Sequence, residues 1–375
     1  MHVLDKPGLS ALFDALKAKD YTIIAPTVRE GAIVYDEVAG PGELPEGWTA
    51  VQEPGTYRLE KRGDAALFGY AVAPNSWKKF LYPPRLRLFS ARKNGKGMGF
   101  ERDSAGAAKY AFIGVRPCEL QAVRIQDRVF QSDQYADPGY RAVREKAFVV
   151  AVNCGVPASV CFCTSMGTGP RASGGYDLAL TEILDDRLHY FYCETGSEAG
   201  KALLARLPHR EAELPDKKRA DAVIREAEEA MGGKLETEGL PQVLAENASH
   251  PHWDEVARRC LACANCTMSC PTCFCSTVED VTDLGGGRAE RIRRWDSCFT
   301  LDFAKVAGGN FRPSMRARYR QWLTHKFSSW VEQFGTFGCV GCGRCITWCP
   351  VGIDVRAEIE AIRTTHVPTG SSKGG

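Results

Sequence analysis

The chain has 375 residues, is 44% hydrophobic and 25% charged, and carries a formal net charge of +2. That length suffices for two domains, the composition is that of a globular protein in water, and the near-balanced charge argues against an electrostatically driven nucleic-acid binder. No apolar run is long enough to span a bilayer, and the opening MHVLDKPGLSALFDALKAKD has no apolar signal core, so a cytoplasmic protein that does not enter the membrane is expected.

In chain order, residues 8–19 read as a short amphipathic helix and 21–38 as two strands around Arg29-Glu30-Gly31. Residues 56–62 and 66–72 add strand-like pieces, followed by a basic, proline-broken stretch from Lys78 to Arg92. Tyr110–Val115 reads as a buried strand, 118–129 as a helix, 138–146 as another, and Phe148–Val152 as a second buried strand. Strand, helix, helix, strand is an α/β pattern. Residues 176–193 suggest a further pair of strands, and 216–231 a charged helix. Gly232, Gly233, Gly239 and Pro241 mark a boundary within 232–250. The predicted architecture is an α/β (α+β) N-terminal domain over 1–240, a mostly helical two-cluster ferredoxin-like domain over 251–365, and a Gly/Ser-rich flexible tail over 366–375.

The chain holds 16 Cys and no signal peptide, which points to metal rather than disulfides. Cys260, Cys263, Cys266 and Cys270 precede Pro271; Cys339, Cys342, Cys345 and Cys349 precede Pro350. Each set reads C-x-x-C-x-x-C-x-x-x-C-P, the spacing that holds a cubane [4Fe–4S] cluster. Three cysteines three apart wrap one corner of a cluster, and in two-cluster ferredoxins the fourth ligand comes from the other motif. The expected sets are therefore Cys260, Cys263, Cys266 and Cys349 for a first cluster, and Cys339, Cys342, Cys345 and Cys270 for a second. A Cys₄ zinc site is the rival, but it requires neither the third and fourth cysteines nor the proline, all of which occur twice. The small residues Ala262, Ala264, Gly341 and Gly343 would let backbone N–H groups approach the sulfurs.

Cys118 follows the strand Tyr110–Val115 and Cys154 follows Phe148–Val152. Carboxyl ends of strands face the ligand crevice of an α/β sheet. If those strands are parallel neighbours, both thiols lie at one edge, with Cys161 and Cys163 close behind. These four form a candidate ligand set for a third cluster, against a reading as separate buried thiols. Cys193, Cys273, Cys275 and Cys298 are expected to pack around the clusters as an apolar shell, a further site being the alternative. Phe311–Lys326 interleaves Arg312, Arg316, Arg318, Arg320 and Lys326 with Tyr319 and Trp322. It reads as a helix packed on the cluster loops, its basic face toward a partner or solvent, rather than an RNA site. No nicotinamide, flavin or P-loop fingerprint and no H-E-x-x-H is present, so no catalytic residues are assigned.

A set of longer strings carries a resemblance over nearly the whole chain. They are VREGAIVYDE (28–37), NSWKKFLYPP (75–84), IGVRPCEL (113–120), NCGVPASVCFCTSMGTGP (153–170), GGYDLAL (174–180), RCLACANCTMSCPTCFCS (259–276), RWDSC (294–298) and CVGCGRCITWCPVGID (339–354). In this order they resemble the β subunit of cytoplasmic NAD(P)-linked [NiFe] hydrogenases, the sulfhydrogenase or sulfur reductase β-subunit family. The resemblance implies a non-catalytic electron-transfer subunit in a heterotetramer. Its partners would be an FAD- and NAD(P)H-binding subunit, a cluster-bearing hydrogenase small subunit and, through that, the large nickel–iron subunit. The A subunit of anaerobic sulfite reductase is similar in architecture, and a sulfite or polysulfide reductase is the alternative terminal enzyme.

Overall fold

A computed structural model describes residues 1–95, 97–102, 108–132, 134–185 and 187–365. The expected flexible tail lies outside the described residues. Strands β1 (His2–Leu4), β2 (Thr22–Arg29) and β3 (Ala32–Glu37) open the chain, followed by a hairpin of β4 (Trp48–Glu53) and β5 (Thr56–Lys61). A second hairpin, β6 (Arg85–Asn94) and β7 (Gly97–Arg102), precedes β8 (Tyr110–Val115), β9 (Phe148–Val152), β10 (Leu178–Leu184), β11 (His189–Thr195) and β12 (Arg210–Glu211). The main sheet runs in the order β12-β1-β11-β10-β9-β8-β2-β3. Its centre is parallel, from β2 through β8 and β9 to β10, and its flanks are antiparallel. The fold is thus mixed α/β. Central strands covered on both faces read as unbroken apolar runs, which is why YAFIGV and FVVAV stand out in the sequence. Phe112, Val150, Leu180 and Phe191 lie in the core they form.

Residues 66–72 are not a strand. Their backbone groups find side chains instead of a neighbouring strand. Arg116 donates from Nε to the Ala71 carbonyl (3.0 Å) and from Nη2 to the carbonyls of Phe68 (2.7 Å) and Tyr70 (2.5 Å). The Glu182 carboxylate accepts the N–H groups of Leu67 and Phe68 at 2.7 and 2.8 Å. An apolar stretch satisfied in this way carries a strand's composition without its ladder.

The stretch between the two cysteine motifs also differs from the expected helical reading. It contains β13 (Ser276–Thr282) and β14 (Arg288–Trp295), and β14 pairs with β6 to give a four-stranded sheet, β13-β14-β6-β7. This sheet joins residues from both sides of the 232–250 region. Charge pairs such as Arg291 with Asp280 (2.6 Å) and Arg87 with Glu290 (3.1 Å) brace it, and because Glu290 and Arg291 are consecutive, charge falls on both faces and no apolar–polar alternation marks the strand.

Around the motifs lie the helices His252–Arg259, Met315–Thr324, Trp330–Phe334 and Val355–Thr364, with a π-helical turn at His325–Ser329. Trp253, Tyr319, Trp322, Phe327, Trp330 and Ile359 build a second core, which Cys118, Cys161, Cys163 and Cys342 join. Leu240 and Leu244 of helix Leu240–Glu246 are part of it too, although they fall in the region expected to separate the domains. Among the described residues, no helix is long and apolar enough to cross a membrane.

Candidate metal centre

The two motif loops repeat one backbone shape. Ala262 and Ala264 have φ of 54° and 63°, and their counterparts Gly341 and Gly343 have 64° and 76°. Alternating left-handed residues turn successive N–H groups toward the inside of the loop, an arrangement suited to an anionic guest. The Gly341 N–H lies 3.4 Å from Cys339 Sγ, and the Ile353 N–H 3.3 Å from Cys349 Sγ. Glycine is required in the second loop by space as well as by φ. A Cβ on Gly341 would lie 2.6 Å from backbone atoms of Phe162 and Cys163, and one on Gly343 2.6 Å from Val160 Cγ2. The segment 160–163 therefore lies directly on the second loop, fixed by the Phe162 N–H donating to the Gly341 carbonyl at 2.8 Å. Ala262 and Ala264 accept left-handed strain of about 1–2 kcal/mol each instead.

The cysteines gather around two cavities. The first, about 460 Å³ including its open mouth, is lined by Cys260, Cys263, Cys266, Cys349 and Cys345. The second, about 380 Å³, is lined by Cys339, Cys342, Cys345 and Cys270. Each motif's fourth cysteine thus stands at the other motif's cavity. Trp322 lines both. The first cavity reaches the surface, with Cys263 exposed and Leu261 63% exposed beside it. Phe162 and Phe327, both fully buried, wall the second.

Several features fit a negatively charged, hydrogen-bond-accepting group in these cavities. The Tyr319 hydroxyl, which lines the first cavity, and Trp322 Nε1 are buried without a partner among the described residues. Arg344 Nη1, in the wall of the second, is likewise without one. Buried donors left unpaired cost about 1–3 kcal/mol each, and an iron–sulfur cluster would accept from them. The π-helical turn delivers Lys326, whose ammonium is 3.3 Å from Cys270 Sγ and 3.1 Å from Thr272 Oγ1. Burial alone would lower the Lys326 ammonium, but the charges of Cys270, Cys273 and Cys339 hold it well above its ordinary value. A hydrogen bond from Cys273, and after it the Lys326 charge, holds the Cys270 thiol well below its usual range. Burial pushes Cys266 and Cys345 up, with neighbouring thiols adding to the shift, and pushes Cys339 up to about 12 against the pull of Lys326. Those burial shifts describe thiols without iron; a metal ligand is the thiolate. Among the described residues no three His, Cys, Asp or Glu side chains close to the spacing of a single metal ion.

β8 and β9 are parallel neighbours, so Cys118 and Cys154 do lie at one sheet edge. Cys118, Cys161 and Cys163 are buried. Burial raises the Cys118 thiol, with Cys163 and Cys342 adding to it, and raises Cys161 to about 12, with Cys154 adding to it. Cys118, Cys161 and Cys163 share one buried core with the second motif's cysteines, and Cys154 is not part of that core. Cys193 does not belong to the expected shell: it sits in β11, fully buried in the core of the main sheet. Cys273, Cys275 and Cys298 line a separate cavity with Lys326. Sequence reading gave Lys326 no specific role within a basic helix and did not single out Arg344 or Glu119. Lys326, four positions after Trp322 and so on the same helical face, carried a usable signal; Glu119, beside Cys118, did not.

Cavities ringed by cysteines at cubane-motif spacing mark this as an iron–sulfur protein. Residues 259–353 match the family model described as a 4Fe-4S dicluster domain. Over 320 residues the chain is 32% identical to sulfhydrogenase 2 subunit beta of Pyrococcus furiosus, an alignment covering 84% of this chain and 91% of that one. The chain belongs to the sulfhydrogenase β-subunit family. No solved structure matches it.

Proposed function

We propose that this chain is the iron–sulfur electron-transfer subunit of a soluble, cytoplasmic hydrogenase. In this reading Cys260, Cys263, Cys266 and Cys349 ligate one [4Fe–4S] cluster, and Cys339, Cys342, Cys345 and Cys270 ligate the other. The observation that carries it is the exchange of fourth cysteines between two adjacent cavities that share Trp322. When bound, such clusters supply one-electron transfer. The chain's own contribution is to hold both sets side by side, to exclude water from the second with Phe162 and Phe327, and to place Lys326 and Arg344 where negative charge would accumulate.

The partners in this proposal are an FAD- and NAD(P)H-binding subunit and a hydrogenase small subunit, through which electrons reach the nickel–iron subunit. The name of the Pyrococcus relative supports a hydrogenase over a sulfite reductase as the terminal enzyme. Cys118, Cys154, Cys161 and Cys163 remain a candidate third set, supported by their proximity; unchanged iron content in Cys118→Ser would remove it. The isolated chain should be reduced by dithionite but show no NAD(P)H oxidation with an artificial acceptor. Robust NAD(P)H turnover by the chain alone would overturn the assignment.

A further inference from the structure

Beyond these sets, we propose that Cys273, Cys275 and Cys298 ligate an additional iron–sulfur cluster, with His325 facing its fourth corner. The three thiols and His325 line one cavity of about 900 Å³ including its open mouth. The β13–β14 hairpin brings them together. Cys275 directly precedes β13 and Cys298 follows β14 by three residues; the hairpin closes with Ser276 opposite Trp295 and with the Asp296 N–H donating to the Cys275 carbonyl at 2.8 Å.

Charge gives an independent argument. Lys78 and Lys326 are only 3% and 4% exposed. Lys78 Nζ donates to the Cys273 carbonyl at 3.0 Å and lies 3.8 Å from the centre of the Trp295 ring. Lys326 lines the cavity and reaches Cys270, Thr272 and the Gly338 carbonyl. Among the described residues neither ammonium is paired with a carboxylate, and a buried cation requires a compensating negative charge. The second four-cysteine set answers for Lys326. Lys78 is turned toward Cys273 instead, and a thiolate-ligated cluster there would supply its counter-charge. A third observation concerns the walls. Trp330, 1% exposed, has no partner for its Nε1 among the described residues, and it lines this cavity. An unpartnered donor at this cavity fits a guest that accepts hydrogen bonds, as cluster sulfides do. Zinc on Cys₃His is the rival chemistry for these donors.

The experiment is iron, zinc and acid-labile sulfide analysis of the anaerobically purified full chain and of Cys275→Ser and Cys298→Ser. Each variant is expected to lose about four irons and four sulfides relative to the parent, while the electron paramagnetic resonance signals of the two motif clusters persist. Retention of the parental iron in both soluble variants would overturn the proposal, as would one zinc per chain that both variants release. Trp330→Phe guards against a folding artefact, because it leaves every thiol in place. It should shift the reduction potential of one cluster that is neither motif cluster; a titration identical to the parent's would count against the site even if the cysteine variants fail to fold.

Discussion

Arg344, inside the second motif, makes a fully buried ion pair at 2.5 Å with Glu119, the residue after Cys118. The other Glu119 oxygen accepts from the Tyr35 hydroxyl at 2.6 Å and from Trp77 Nε1 at 3.0 Å. Arg344 also donates to the carbonyls of Ala73 (2.7 Å) and Asn75 (3.2 Å). One carboxylate thus ties the main sheet to the cluster loops. Glu119→Gln should leave the guanidinium buried and unpaired, at a cost of about 3–5 kcal/mol. The exposed pair of Lys6 with Glu46 is the control, with an effect below about 1 kcal/mol. Anaerobic denaturant titration with a cluster-absorbance readout measures both.

The two motif loops should respond oppositely to a methyl group. Gly341→Ala adds a Cβ 2.6 Å from the backbone of Phe162 and Cys163, at a φ of 64°. It should cost roughly 2–4 kcal/mol, from overpacking and left-handed strain together, and release the second cluster first. Ala262→Gly relieves strain at a φ of 54° and should be neutral or slightly stabilising. Iron retention after mild heating separates the two outcomes.

Lys326→Met removes a positive charge 3.3 Å from Cys270 Sγ. A nearby cation favours the more negative reduced state, so its loss should lower the potential of the second cluster. At an effective dielectric constant of about 20 and a separation of about 7 Å the effect is roughly 2 kcal/mol, on the order of 100 mV for one electron. The first cluster should move much less. A redox titration followed by electron paramagnetic resonance reads both potentials.

Cys349→Ser should damage the cluster nested in Cys260–Cys266, and Cys270→Ser the cluster in the 339–345 loop, because each fourth cysteine lines the opposite cavity. Signal loss confined to the mutated motif in both variants would contradict the exchange.

What the sequence made legible follows from which forces act locally. β8 and β9 were readable because burial on both faces leaves an unbroken apolar run, and the motif cysteines because their spacing is itself the chemistry. β13 and β14 were hidden because charged residues stand at consecutive positions, Glu279 with Asp280 and Arg293 with Arg294, and so on both faces, which erases any alternation, although the β-branched residues of STVEDVT offered a cue. Residues 66–72 misled because Arg116, about fifty positions away, satisfies their carbonyls. The Glu119–Arg344 pair spans 225 positions, beyond any local pattern.

The most direct test of the electron-transfer account is the electron paramagnetic resonance spectrum of the anaerobically purified chain, oxidised and then reduced with dithionite. The account predicts no signal when oxidised and, on reduction, [4Fe–4S] signals of which at least two broaden each other, as expected of neighbouring cavities sharing Trp322. A protein that contains zinc, or iron without labile sulfide, and gives no cluster signal on reduction would contradict it.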